Sequence, residues 1–106
     1  DDFDYEPKAA AKNLQPIAAP LLAQVRAGLS DLASWDEESA QRVIEKAAEN
    51  AGVGLGKVAQ PLRVALTGDI ASPGIGITLK LVGRERTLAR IDRALHFIQT
   101  ITPARG

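Results

Sequence analysis

Gly74-Ile75-Gly76-Ile77-Thr78-Leu79-Lys80-Leu81-Val82-Gly83 is the stretch on which the fold class turns. Ile75, Ile77, Leu79 and Leu81 alternate with small or polar residues, and period two is the pattern of a strand half-covered by a core. A lone strand, however, must find partners for a row of backbone N–H and C=O groups, and such groups are costly when buried unpaired. The segments on either side read as helices. Residues 74–82 are therefore expected to form a short buried helix closed by Gly83, which makes the chain all-α: a compact helical bundle of about four to six helices.

Working outward, the last helix begins near Arg84, and Leu88, Ile91, Leu95 and Ile98 give it an apolar face. Arg86, Arg90 and Arg93 recur at spacings of four and three, which sets them in one basic row. Asp92 and His96 are four apart and are expected to pair weakly. On the other side, residues 69–73 form a loop. Before it, Lys57 to Thr67 reads as a short helix, with Pro61 in or near its first turn and Gly68 as its stop. Leu62, Ala65 and Leu66 then face inward while Arg63 faces out. Gly52, Gly54 and Gly56 resemble a phosphate loop only superficially: no strand precedes them, and neither the dinucleotide nor the nucleotide-triphosphate spacing is met. They read as a linker.

In the first half, residues 1–7 are acidic and contain Pro7, and read as a connector from an upstream region. Lys8 to Asn13 is one or two helical turns. Ala18, Leu22, Val25, Leu29 and Leu32 recur at helical spacing, with Pro16 or Pro20 in the first turn. Gly28 weakens the middle of this helix by about 1 kcal/mol relative to alanine. Trp35 is expected to pack at the corner that follows. Asp36 is one candidate N-cap, and Ser34 with Glu37 is a competing capping box. Ala40, Val43, Ile44, Ala47 and Ala48 make the next apolar stripe, and Gly52 provides a left-handed stop. The domain thus covers residues 8–101, and 102–106 is a tail.

With 106 residues, the chain is one domain. It has no cysteine, which excludes disulfides, thiolate metal sites and a cysteine nucleophile. His96 is the one histidine, and no metal site is expected. No apolar run approaches a membrane span, and no signal peptide opens the chain; a cytoplasmic, monomeric protein without membrane contact is the expectation. The absence of methionine and the opening Asp1-Asp2-Phe3-Asp4 read as a piece of something longer. Residues 1–53 carry ten acidic and five basic side chains, and residues 54–106 three acidic and eight basic. Halves of opposite sign suggest that only the second faces a polyanion.

No catalytic constellation is legible. Ser30, Ser34, Ser39 and Ser72 have only His96 as an imidazole partner, and Asp36, Glu37 and Glu38 are accounted for by helix-start chemistry. Binding is the stronger case. Single-stranded RNA loops present splayed bases whose edges and faces can be read. Arg63 beside a Ser72-Pro73-Gly74-Ile75 turn, followed by an arginine row, supplies a guanidinium, exposed backbone and small apolar surfaces. Lys57, Arg84, Arg86 and Arg90 are candidates for phosphate contact, or form an ordinary solvated face. On the residues alone, a helical RNA-binding module and a helical protein-interaction module stand equal.

Gln60-Pro61-Leu62-Arg63-Val64-Ala65-Leu66-Thr67-Gly68 is similar to the PLRxALTG motif of bacterial glutamyl-tRNA synthetases. The likeness continues through Ser72-Pro73-Gly74 and through Leu81-Val82-Gly83-Arg84-Glu85-Arg86-Thr87-Leu88-Ala89-Arg90-Ile91, which resembles the family's LLGKERxLxRL. The resemblance implies the distal part of an all-helical C-terminal anticodon-binding region. It implies that Arg63, Ser72, Pro73 and Ile75, with Gly74 in the same turn, match positions touching the first two anticodon bases of glutamate tRNA, and that the third base is read outside this piece. Serine replaces a frequent threonine at 72, and isoleucine a frequent leucine at 75. The family's ATP-binding motifs and Rossmann-type catalytic domain are absent from these residues. Implied partners are the anticodon loop of glutamate tRNA and the rest of a synthetase chain. The parent enzyme would use ATP and magnesium in its catalytic domain, and no cofactor is expected in this piece.

Overall fold

The computed structural model describes residues 4–70 and 74–101. They form six helices: α1 Pro7–Asn13, α2 Ala18–Ser30, α3 Glu37–Ala51, α4 Gly56–Thr67, α5 Ile75–Val82 and α6 Arg84–Ile101. No strand occurs among the described residues, in line with the all-α expectation. Helix α4 is the axis of the bundle and packs against each of the other five. Val58, Ala59, Pro61, Leu62, Val64, Ala65 and Leu66 are all buried on it. What remains open is a narrow strip along one side.

The alternation that suggested a strand has a helical explanation. In a helix, residues four apart share a face, so Ile75 and Leu79 form one pair and Ile77 and Leu81 another, on nearly opposite sides. Ile75 and Leu79 are buried, whereas Ile77 is 46% and Leu81 75% exposed. The helix is therefore buried on one side only, not throughout as expected. Thr78 is buried and donates its hydroxyl to the Gly74 carbonyl at 3.1 Å.

Local signals set most boundaries. Glu6 caps α1, its carboxylate accepting the Ala9 N–H at 2.6 Å, and Pro7 takes the first-turn position that needs no N–H. Helix α2 starts at Ala18, which leaves Pro20 in its first turn. Of the two candidate caps for α3, Asp36 is the one used: its backbone is extended and its carboxylate accepts the Ser39 N–H at 2.8 Å. Gly52 ends α3 in the left-handed region at φ 69°, and the Val53 N–H reaches back to the Ala48 carbonyl at 3.0 Å. Pro61 lies just past the first turn of α4, where it removes the N–H that would bond to Lys57; its ring is buried.

Two contacts reach beyond what spacing foretold. A Cβ added to Gly28 would lie 2.7 Å from Cγ1 of Val43, so glycine is what lets α2 and α3 close together. On α6 the fully covered residues are Thr87, Ile91, Ala94 and Ile98, while Leu88 and Leu95 are half-buried. The inner line is thus rotated toward small residues, which allow α6 to approach α2 and α4. The expected Asp92–His96 pair does not form. Asp92 instead accepts from Nε and Nη2 of Arg26 on α2, the latter at 3.1 Å, and His96 stays exposed.

Candidate functional site

Along α4, Gly56, Gln60, Arg63 and Thr67 are the positions of one face that escape burial, at spacings of four, three and four. Lys57 flanks the strip at its exposed start. Arg63 is half-buried, and its Nε is enclosed without a hydrogen-bond partner. Among the described residues its guanidinium enters no hydrogen bond or ion pair. The Oε1 of Gln60 is likewise enclosed and unpartnered. A buried polar group without a partner costs about 1–3 kcal/mol, so two of them one turn apart mark a place where the fold has left hydrogen-bonding capacity unused.

The chain leaving α4 is held from several sides. Gly68 stops the helix at φ 87°, and its N–H bonds to Val64 at 2.8 Å. Its carbonyl accepts the Glu6 N–H at 2.7 Å, which ties the N-terminal segment to the end of α4. The Thr67 hydroxyl donates to the Arg63 carbonyl at 2.8 Å and accepts the Asp69 N–H at 3.3 Å. Asp69 in turn accepts the Ile70 N–H at 2.6 Å. From α6, Arg90 donates to the Leu66 carbonyl at 2.8 Å, placing a cation at the negative end of the α4 dipole.

Ser72 and Pro73 lie outside the described residues. Gly74 is exposed and precedes α5 in an extended conformation, with no side-chain cap on that helix. Ile75 is only 5% exposed and belongs to the core. Its side chain is committed to packing, and what it offers at the surface is backbone.

The basic row is not one continuous surface. Arg86 is exposed. Arg90 is spent on Leu66, and Arg93 lies with its guanidinium carbon 4.6 Å from the centre of the Tyr5 ring. Arg84 also faces inward: it donates to the Leu32 carbonyl and sits 5.5 Å from the centre of the Trp35 ring. Trp35 packs at the corner as expected, and its Nε1–H donates to the Leu79 carbonyl at 2.9 Å, near the end of α5. Burial pushes the Tyr5 phenol above its ordinary pKa, and Arg93 pulls the other way. Of the four phosphate candidates, Lys57 and Arg86 are exposed, while Arg84 and Arg90 hold the fold together.

Gln60 is the residue that sequence reasoning passed over. It stood in the quoted motif, three positions before Arg63, and helical spacing alone would have placed it beside the guanidinium.

Residues 1–95 match the family model for an anticodon binding domain. The chain is 50% identical over 98 residues to glutamate–tRNA ligase 1 of Alkalilimnicola ehrlichii, covering 92% of this chain and 21% of that protein. It also resembles a crystal structure of a glutamate tRNA ligase from Elizabethkingia meningosepticum in complex with its amino acid. That likeness has a TM-score of 0.85 at 30% identity, over 92% of this chain and 19% of the other. A glutamate-tRNA synthetase from Elizabethkingia anophelis matches with a TM-score of 0.78 at 29% identity, over 90% of this chain and 18% of the other. The chain therefore spans about a fifth of the length of these relatives.

Proposed function

Because the chain belongs to the anticodon binding domain family, we propose that it holds the anticodon loop of glutamate tRNA on behalf of a glutamate–tRNA ligase. The single observation that carries this reading is Arg63: a half-buried guanidinium on the one open face of the central helix, with its hydrogen-bonding capacity unused among the described residues. A guanidinium held in this way can donate to the edge of an unpaired base. Ser72, Pro73, Gly74 and Ile75 follow the same helix in sequence, Gly74 preceding α5 and Ile75 opening it. Their part is backbone hydrogen bonding and, for Pro73, an apolar surface against a base face. Lys57 and Arg86 supply salt-sensitive phosphate contact at the margins. Arg84 and Arg90 contribute by bracing the elements that carry the site.

The parent enzyme joins glutamate to the tRNA 3′ end with ATP and magnesium in a catalytic domain elsewhere in its chain. This segment contributes selection of the tRNA and no chemical step, and it acts in the cytoplasm as part of a monomeric ligase. No helix among the described residues is long and apolar enough to cross a membrane.

The test is an NMR titration of this chain with a glutamate-tRNA anticodon stem-loop and base-substituted versions of it. Shifts centred on residues 60–76 that change with the anticodon bases are expected. Shifts that ignore the bases, or that centre elsewhere, overturn the reading.

A further inference from the structure

The peptide group that joins Gly68 to Asp69 is held on both edges. Its carbonyl oxygen accepts the Glu6 N–H at 2.7 Å, and its N–H donates to the Thr67 hydroxyl at 3.3 Å. Gly68 is buried and stands at φ 87°, and a glycine's own sterics restrict the chain little. A peptide group is planar. The partners of its two edges, rather than side-chain crowding, therefore set the direction in which the chain leaves α4. Of these two partners Thr67 belongs to α4 itself, and Glu6 comes from outside it.

Glu6 is held in its turn. Its carboxylate accepts the Ala9 N–H at 2.6 Å, which fixes it to the start of α1. The ring of Tyr5, the residue before it, meets Phe97 of α6 edge-on, with centres 5.0 Å apart and planes at 73°. The same ring lies 4.6 Å from the guanidinium carbon of Arg93. A line of contact thus runs from α6 through Tyr5 and the Glu6 N–H to the end of the helix that carries Arg63.

We propose that Tyr5 and Glu6 are positioning residues for anticodon selection. Tyr5 anchors the segment, and the Glu6 N–H, by fixing the Gly68 carbonyl, holds Arg63 and the chain beyond α4 in one relation to each other. The N-terminal segment thereby belongs to the selection machinery, although neither residue is assigned a contact with RNA. This inference rests on the anticodon reading above.

The experiment compares wild type, Glu6→Ala, Glu6→Pro, Tyr5→Leu and Arg63→Ala. Fluorescence anisotropy gives the affinity of each for two glutamate-tRNA anticodon stem-loops, with the native uracil or a cytosine at the middle anticodon position. NMR reads the bond itself, as a scalar coupling between the Glu6 nitrogen and the Gly68 carbonyl carbon. Both Glu6 variants lose the carboxylate cap, but only proline lacks the N–H, and the Glu6 φ of −62° suits its ring. That ring also fills the space toward which the Gly68 carbonyl points, so the carbonyl must move. Glu6→Pro should lose about tenfold in the uracil-over-cytosine preference, while Glu6→Ala keeps both the preference and the coupling. A purely structural role would lower the two affinities by one factor and leave their ratio alone. Tyr5→Leu leaves the backbone donor in place and should weaken coupling and preference together; it is decisive if Glu6→Pro does not fold. An unchanged preference in folded Glu6→Pro, an equal fall in Glu6→Ala, or a Tyr5→Leu chain that loses the coupling but keeps the preference overturns the positioning role. A coupling untouched by Tyr5→Leu overturns the anchoring by Tyr5. The anticodon reading survives these results provided that Arg63→Ala loses base preference with the coupling intact. If wild type itself shows no base preference, that reading fails and this inference falls with it.

Discussion

Arg63 owes its availability to its neighbours on α4. Every residue beside it on the inner side is apolar and buried, so the guanidinium is fenced along a narrow strip and meets no carboxylate among the described residues. Arg63→Ala should weaken binding to the glutamate anticodon stem-loop by about 1–3 kcal/mol and relax preference at one base; titration against base-substituted loops checks both. Uniform weakening across all loops would instead identify a phosphate contact. Asp36 illustrates a different use of charge. The Ser39 backbone N–H, and then its hydroxyl, hold the Asp36 carboxyl below its ordinary pKa. A carboxylate with a lowered pKa contributes stability that is fully present above the unfolded value of about 3.9 and is lost as pH falls through the folded value. Protection of the first-turn amides of α3, measured relative to their intrinsic exchange rates, should therefore fall on acidification below about pH 4, and Asp36→Asn should flatten that response.

Among the elements, α2 and α3 show how a residue that looks weak in isolation becomes necessary in the fold. Gly28 costs helix propensity, yet a methyl group there would strike Val43 at 2.7 Å. Valine is stiff about its first side-chain bond, so the clash cannot be relieved by a long flexible tip. Gly28→Ala should lower stability by about 1–2 kcal/mol despite the better propensity of alanine. Val43→Ala in the same chain should recover part of that loss, and a double-mutant cycle from urea melts gives the coupling. The corner formed by Trp35, Leu79, Leu32 and Arg84 is a second such case. Trp35→Phe replaces the indole with a smaller phenyl ring and removes the N–H that donates to the Leu79 carbonyl, which keeps only the Gly83 N–H, and should cost about 1–2 kcal/mol in the same measurement.

For the molecule as a whole, the opposite signs of the two halves translate into a division of labour. The basic second half supplies the candidate interface, but its arginines are not equivalent. Arg86 is exposed, and Arg86→Gln should lower the salt dependence of stem-loop binding by about one phosphate's worth while leaving base preference and thermal stability unchanged. Arg90→Gln should behave differently, because Arg90 closes the end of α4 through the Leu66 carbonyl. It is expected to lower the melting temperature and to blur base preference together, by loosening the junction at Gly68 where the chain leaves α4. Measured melts and salt titrations of the two variants separate these roles.

Much of this architecture was legible in the residues. Helical spacing marked the inner faces of α2 and α3, Asp36, Gly52, Gly68 and Gly83 marked boundaries, and the unsuitability of a lone strand marked α5 as helical. These signals are local, since they depend on backbone geometry within a few residues. The run from Gln60 to Gly68 also pointed to the family by itself. Three things depended on tertiary contact. Arg84, Arg90 and Arg93 turned inward because Trp35, Leu66 and Tyr5 lie across the bundle from them; Asp92 chose Arg26 over His96; and Gln60 was revealed as an acceptor left without a partner. Periodicity reports which side of a helix is buried, but where a charged side chain finds its partner is decided by which helices the fold brings together.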